Sequence, residues 1–197
     1  MLSQTLKQLR KSIISERKAI DPAYSSSCAL EIKNTVTRLR CYHQAKKIAL
    51  YISHGGEVET SLILNDALAR GKQVYLPILH NNRGASLLFA PYDQNTQLKL
   101  NRYNIPEPDV ASCKLIKPRN LDMVITPLVA FDHNCERIGM GGGYYDRSFA
   151  FINHLKQWQH PKLTGVAYEF QKINDCEPSS WDIPLHYVVT ENCLYSK

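Results

Sequence analysis

The sequence predicts an α/β protein: a mostly parallel sheet with helices on both faces. Three observations carry that prediction. Strand-like and helix-like segments alternate through the middle of the chain, as parallel sheets require. The most apolar stretch, "LDMVITPLVAFD", reads as an interior strand and its exit. Two late runs, "KLTGVAYE" and "PLHYVVTEN", supply the last strands. No internal repeat, low-complexity tract or linker interrupts residues 1–197, so a single domain is expected.

From the N-terminus, Leu2, Leu6, Leu9, Ile13 and Ile20 recur at three-to-four spacing and predict an amphipathic helix over residues 3–19. Lys7, Arg10, Lys11 and Arg17 fall mostly off that stripe, which reads as a solvated basic face. "DPAYSSS" breaks the helix and offers serine caps to a second one near residues 25–40, with Ala29, Ile32, Val36 and Leu39 inward. "KKIALYIS" is a short buried strand. "HGGEVETS" is a turn whose Thr60 or Ser61 can cap the next helix, "SLILNDALAR", and Gly71 stops that helix. "KQVYLPIL" and "SLLFAPYD" are strands on either side of a turn, "HNNRG". Residues 93–120 are polar and carry the prolines of "IPEPD" and "IKPRN", an irregular connection with short pieces of structure. After the central strand comes a glycine loop, and Tyr145, Phe149, Ile152 and Trp158 then suggest a helix.

Hydrophobic residues make up 44% of the chain and charged residues 21%, both ordinary for a globular protein. No apolar run is long enough for a membrane span, and the first residues lack the apolar block of a secretory signal, so a cytoplasmic protein is expected. Six cysteines are scattered without a C-x-x-C pair, and seven histidines show no H-x-x-x-H arrangement; reduced thiols are expected, with neither a disulfide frame nor a zinc site. The net charge of +6 favours an anionic partner.

The loop, "RIGMGGGYYDR", runs from Arg137 to Arg147. It is not a Walker loop, which needs a lysine and a Ser or Thr. As a dinucleotide fingerprint it places Gly139 and Gly141 correctly, but Tyr144 stands where the third glycine belongs. Glycines still let successive N–H groups converge on an anion, and a following helix start adds partial positive charge. A phosphate cradle is therefore a better reading than a plain turn. Asp146 has two readings at this level. It is a helix-start carboxylate, stabilising in its own right, or one of the carboxylates that hold Mg²⁺ against phosphate.

The segment "ITPLVAFDHNCERIGMGGGYYDR" closely resembles the signature of the 5-formyltetrahydrofolate cyclo-ligases, and further landmarks follow the family's order: the basic helix with "LR", "YISHGGEVET", "YLPIL", "IPEP" and "WDIPLHYVVT". The resemblance implies a three-layer α/β/α sandwich, Rossmann-like, that uses ATP and Mg²⁺ to close 5-formyltetrahydrofolate into 5,10-methenyltetrahydrofolate, releasing ADP and phosphate. It implies that Lys7, Gln8, Leu9 and Arg10 form the N-terminal ATP segment. Arg137, Ile138, Gly139, Met140, Gly141, Gly142, Gly143, Tyr144 and Tyr145 would hold the phosphates. Met140 to Tyr144 would also border the folate, together with Ile52, an apolar contact, and Glu57, which would hold the pterin ring. Asp146 and Asp182 would bind the metal, and Arg137, Tyr144 and Asp146 are the catalytic candidates. Tyr144 is the better candidate for the folate side, since Tyr145 points with Phe149 and Ile152; Asp132 is a candidate for orienting the loop.

Two departures from the family pattern stand out. Many members carry a loop lysine where this chain has Gly142, so Arg137, Arg147, the N-terminal helix or backbone N–H groups must meet the phosphate charge. The family's basic residue four places before Arg10 is Leu6 here; Lys7 is one place along, turned by about 100°. The expected partners are ATP and the folate, with or without a polyglutamate tail, acting on a monomer. No protein nucleophile is needed, and no triad is present. Two rivals are a sugar-phosphate isomerase or transferase of related architecture, which would not need ATP, and a basic nucleic-acid-binding module, for which no interleaved aromatic-basic motif exists.

Overall fold

A computed structural model describes residues 2–79, 86–154 and 160–197; the turn "HNNRG", Trp158 and the side chain of Leu2 lie outside what it describes. Helix α1 covers Leu2–Lys18. Helix α2 (Pro22–Arg38) starts earlier than the serines suggested. Asp21 is its cap, accepting from the Ala23 and Tyr24 N–H groups at 2.9 and 3.1 Å, and Pro22 sits in the first turn, where its missing N–H costs nothing. A short α3 (Arg40–Gln44) leads into β1 (Lys47–Ala49). Helix α4 (Ser61–Ala69) ends before Gly71, whose φ of 71° is the left-handed conformation that glycine adopts freely. Thr60 stands at its N-cap position but does not cap it: its hydroxyl donates to the Tyr51 carbonyl at 2.5 Å, and Glu59 accepts from the Ser61 N–H instead.

Strands β2 (Gln73–Leu79) and β3 (Leu87–Tyr92) pair antiparallel. The irregular connection contains a hairpin of β4 (Leu98–Leu100) and β5 (Pro106–Pro108). The central strand, β6 (Met123–Thr126), exits into a small ladder of β7 (Ala130–Phe131) and β8 (Arg137–Ile138). The predicted helix after the glycine loop is two short ones, α5 (Tyr144–Phe149) and α6 (Phe151–His154). Strands β9 (Lys162–Val166) and β10 (Tyr187–Val189) follow as expected, and a last strand, β11 (Leu194–Ser196), was not foreseen.

One seven-stranded sheet has the order β11-β10-β9-β6-β1-β2-β3. The five inner strands run parallel, and β3 and β11 close the edges antiparallel. Both faces are buried, and strand alternation divides the apolar residues between them. Ile48, Leu50, Val74, Leu76, Met123 and Ile125 pack with Ile32 and Val36 of α2 and Ile63 of α4. Ala49, Tyr75, Val124, Leu163 and Val188 pack on the other side with Phe149 of α5.

Helix α1 has a different task. Its Ile13 is buried against Val129, Ala130 and Ile138, with Leu6, Leu9 and Ile14 around it, so it packs on the β7–β8 ladder that delivers the glycine loop. The expectation of a solvated basic face fails for one residue. Arg17 is only 4% exposed. Arg10, Ile13 and Arg17 are spaced three and four apart and share one side of the helix, which takes both arginines inward with the isoleucine.

Candidate active site

The glycine loop continues from β6 by way of β7 and β8. Buried Asp132 fixes the turn between those two strands. One carboxylate oxygen accepts from the Asn134 and Glu136 N–H groups, and the other from Cys176 at 3.1 Å. Asp132 thus orients the loop's approach through hydrogen bonds.

Within the loop, Gly141 and Gly143 have φ of 92° and 62°, left-handed values that other residues adopt only under strain. A Cβ on Gly143 would stand 2.6 Å from an Arg147 nitrogen. At Gly142, the position of the missing lysine, a Cβ would lie 3.0 Å from the Tyr144 ring. Helix α5 begins at Tyr144 and is six residues long. So short a helix aligns few peptide dipoles, and the helix contribution expected from sequence is small. Positive charge around the loop comes from arginines.

Arg10 donates through Nε to the Gly139 carbonyl at 2.8 Å, and its guanidinium lies beside Gly141. Arg147 donates to the Gly142 carbonyl and lies over the Tyr144 ring at 5.6 Å. Arg102, in the turn between β4 and β5, donates to the Tyr144 hydroxyl. Its neighbour Tyr103 meets the same hydroxyl at 3.3 Å. The hydrogen bond with Tyr103, reinforced by Arg102, holds the Tyr144 phenol below its ordinary range. Exposed Met140 completes the loop's outer side. Of the N-terminal segment, only Arg10 hydrogen-bonds to the loop among the described residues. Lys7 is exposed, Gln8 lines an open depression along α1 and Ala19, and Leu9 packs in the apolar cluster under α1.

Asp146 and Arg137 form an ion pair at 2.5 Å, with the Arg137 side chain 5% exposed and that of Asp146 26%. Arg137 also donates to the Ile183 carbonyl at 2.6 Å, and the Ile183 N–H points at the same Asp146 oxygen at 3.3 Å. This knot brings the segment holding Asp182 against α5, so the two predicted metal carboxylates belong to one neighbourhood. Asp182 itself accepts from the Ser179 N–H at 2.8 Å. Tyr145 is packed under Arg137 and stacked on Phe149, as its spacing suggested.

Glu57 stands in the turn after β1. Its carboxylate accepts from the His54 N–H at 3.2 Å. Burial pushes its carboxyl up, and the nearby Arg17 charge and the His54 bond pull it back. Glu57 in turn raises the phenols of Tyr51 and Tyr145, in each case after the effect of burial itself. The Glu57 charge is thus felt by the second tyrosine of the glycine loop. Ile52 is half-buried at the edge of the core near the same turn. Arg17, Arg102 and Tyr103 were missed as site residues. The three-four spacing with Arg10 and Ile13 could have flagged Arg17; no local pattern marks Arg102 and Tyr103.

A mostly parallel sheet with the Glu57 turn and the glycine loop following its inner strands defines an α/β protein of the kind that commonly binds ligands beyond the carboxyl ends of its strands. Residues 3–191 match the 5-formyltetrahydrofolate cyclo-ligase family, and the chain belongs to that family. It is 36% identical over 184 residues to the 5-formyltetrahydrofolate cyclo-ligase of Escherichia coli K12, covering 91% of this chain and 96% of the relative. The Haemophilus influenzae 5-formyltetrahydrofolate cyclo-ligase is 34% identical over 187 residues, with 94% and 97% covered. Among solved structures, the 5,10-methenyltetrahydrofolate synthetase of Aquifex aeolicus superposes with a TM-score of 0.79 at 27% identity, over 97% of this chain and 92% of its own.

Proposed function

We propose that this enzyme closes 5-formyltetrahydrofolate to 5,10-methenyltetrahydrofolate at the expense of ATP, in a Mg²⁺-dependent reaction. The observation that carries the reading is the convergence on the glycine loop of Arg10, which donates to the Gly139 carbonyl, and of the Arg137–Asp146 pair that ties in the segment holding Asp182. Family membership supplies the reaction.

The residues fit a Mg²⁺ that shares its coordination with phosphate. Among the described residues no group of three or more His, Cys, Asp or Glu is placed to enclose a metal. Mg²⁺ commonly takes one or two carboxylates and completes its shell with phosphate oxygens and water, and Asp146 and Asp182 offer such a pair. When bound, the ion would neutralise phosphoryl charge.

Phosphoryl transfer makes the formyl oxygen a leaving group, and N10 closes the ring as phosphate departs. The chain's own work is positioning and charge stabilisation. Arg147 on the Gly142 carbonyl, Arg10 beside Gly141 and Arg102 on the Tyr144 hydroxyl stand in for the lysine that many family members carry at position 142. Arg137 holds Asp146 in place for the metal. Glu57 accepts from the amino and ring N–H groups along the pterin edge. Tyr144 borders the folate, its hydroxyl fixed by Arg102 and Tyr103. The protein acts as a single-domain cytoplasmic monomer; its bacterial relatives support the cytoplasmic part of that reading, and among the described residues no helix is long and apolar enough to cross a membrane. Measuring ADP release with and without 5-formyltetrahydrofolate tests the function. Folate-dependent release supports it, and folate-independent isomerase activity would replace it.

A further inference from the structure

Arg17 is an expensive residue for a helix to carry inward. Its side chain is buried, and its Nε has no hydrogen-bond partner. Among the described residues, no carboxylate lies within ion-pair distance of it. A buried cation without a paired anion loses hydration that nothing fully replaces. A position serving stability alone would favour an apolar residue there.

The contacts that Arg17 does make lead to the folate side of the site. One terminal nitrogen donates to the Leu128 carbonyl at 3.1 Å, in the strand exit that leads to the glycine loop. The other donates to the Gly55 carbonyl at 3.3 Å, two residues before Glu57. Between them the chain comes so close that a Cβ on Gly56 would lie 2.9 Å from the Arg17 backbone. Gly56 also has φ of 81°. Gly56 thus lets the turn lie directly against the helix at residue 17, and the planar fork of Arg17 reaches two carbonyls at once, which an ammonium on a flexible stem does less well.

We propose that Arg17 is a positioning residue for folate binding: it fixes the Gly55–Gly56 turn against the strand exit and brings a positive charge to the turn that carries the Glu57 carboxylate. The proposal rests on Glu57 being the pterin-binding carboxylate. The His54 N–H of its own turn donates to Glu57, and the groups electrostatically coupled to it are Arg17 from α1, Tyr51 from the exit of β1 and Tyr145 from α5. Arg17 is the one cation among these, and its field favours the ionised carboxylate that burial opposes.

The test uses the full chain and titrates 5-formyltetrahydrofolate and ATP separately, by calorimetry, against wild type, Arg17→Gln, Glu57→Gln and the double variant. Arg17→Gln should weaken folate binding about tenfold or more, leave ATP affinity within about twofold, and move the acid limb of folate binding to higher pH. In the Glu57→Gln background the same change should cost less than about twofold, because the carboxylate it serves is gone. If Glu57→Gln leaves folate affinity intact, the pterin role of Glu57 fails. If Glu57→Gln weakens binding but the two effects simply multiply, Arg17 does not act through Glu57 and the present proposal fails alone. Should Arg17→Gln not fold, carbon NMR of the Glu57 carboxyl in the wild-type chain decides: an ionised carboxylate at neutral pH supports the proposal, and a protonated one overturns it.

Discussion

Arg10, in the first helix, donates through Nε to the carbonyl of Gly139 at 2.8 Å, across 129 residues of sequence. That bond joins the element most remote in sequence to the loop that gives the site its shape. Leu6, Leu9, Ile13 and Ile14 seat α1 on the β7–β8 ladder, and that seat carries Arg10 to the loop and Arg17 to the turn after β1.

Replacing Arg10 by methionine keeps the aliphatic stem and removes the charge and the bond to Gly139. A charge-assisted hydrogen bond contributes about 1.5–3 kcal/mol, so the KM for ATP should rise about tenfold or more. The KM for folate should change far less. Steady-state kinetics with each substrate varied in turn checks both.

Asp146→Asn should lower Mg²⁺-dependent turnover on the order of 100-fold. It should also destabilise the fold by about 2 kcal/mol, since Arg137 is almost fully buried and loses its anion. Asp182→Asn should impair the metal response with a smaller cost in stability, because the carboxylate of Asp182 serves a backbone N–H and no buried arginine. Urea denaturation beside Mg²⁺ titration of activity separates the two variants.

Gly143→Ala meets both a left-handed backbone and Arg147 at 2.6 Å. The strain should cost about 1–2 kcal/mol and displace Arg147 from the Gly142 carbonyl. A fall in the thermal midpoint of a few degrees, accompanied by a larger fall in kcat, is the expected pair of readings.

His186 supplies a pH test outside the loop. Burial, then the charges of Lys162, Lys197 and His160, pull its imidazole down to about 4, and its Nδ1 accepts from the Leu163 N–H at 3.1 Å. The folded value lies below the ordinary histidine value near 6.5, so the unfolded chain binds the extra proton first. Stability therefore falls as pH drops from about 6.5 to 4 and is flat above that window with respect to this group. With a discount for partial exposure the loss is about 2 kcal/mol. His186→Gln should flatten this part of the stability profile measured by urea denaturation.

Much of the fold was legible because strand alternation and helix spacing are local. Ile48, Ala49 and Leu50 alternate between two cores, and "KKIALYIS" shows that alternation as a continuous apolar run. The boundaries that shifted did so for equally local reasons: Asp21 with Pro22 outcompetes the serines that follow as a helix start. The long helix expected after the loop broke into α5 and α6, so the loop draws its positive charge from side chains more than from a dipole. What the sequence hid is tertiary. Arg17 reads as surface charge until α1 is packed, and Arg102 and Tyr103 reach Tyr144 only because the β4–β5 hairpin folds over the loop.

The most direct measurement is the absorbance gain of 5,10-methenyltetrahydrofolate in a mixture of the protein, 5-formyltetrahydrofolate, ATP and Mg²⁺, with ADP counted in parallel. Product should form only when all three small molecules are present, with one ADP per ring closed. Ring closure without ATP, or ATP hydrolysis indifferent to the folate, would contradict the assignment of the glycine loop and Glu57 to one reaction.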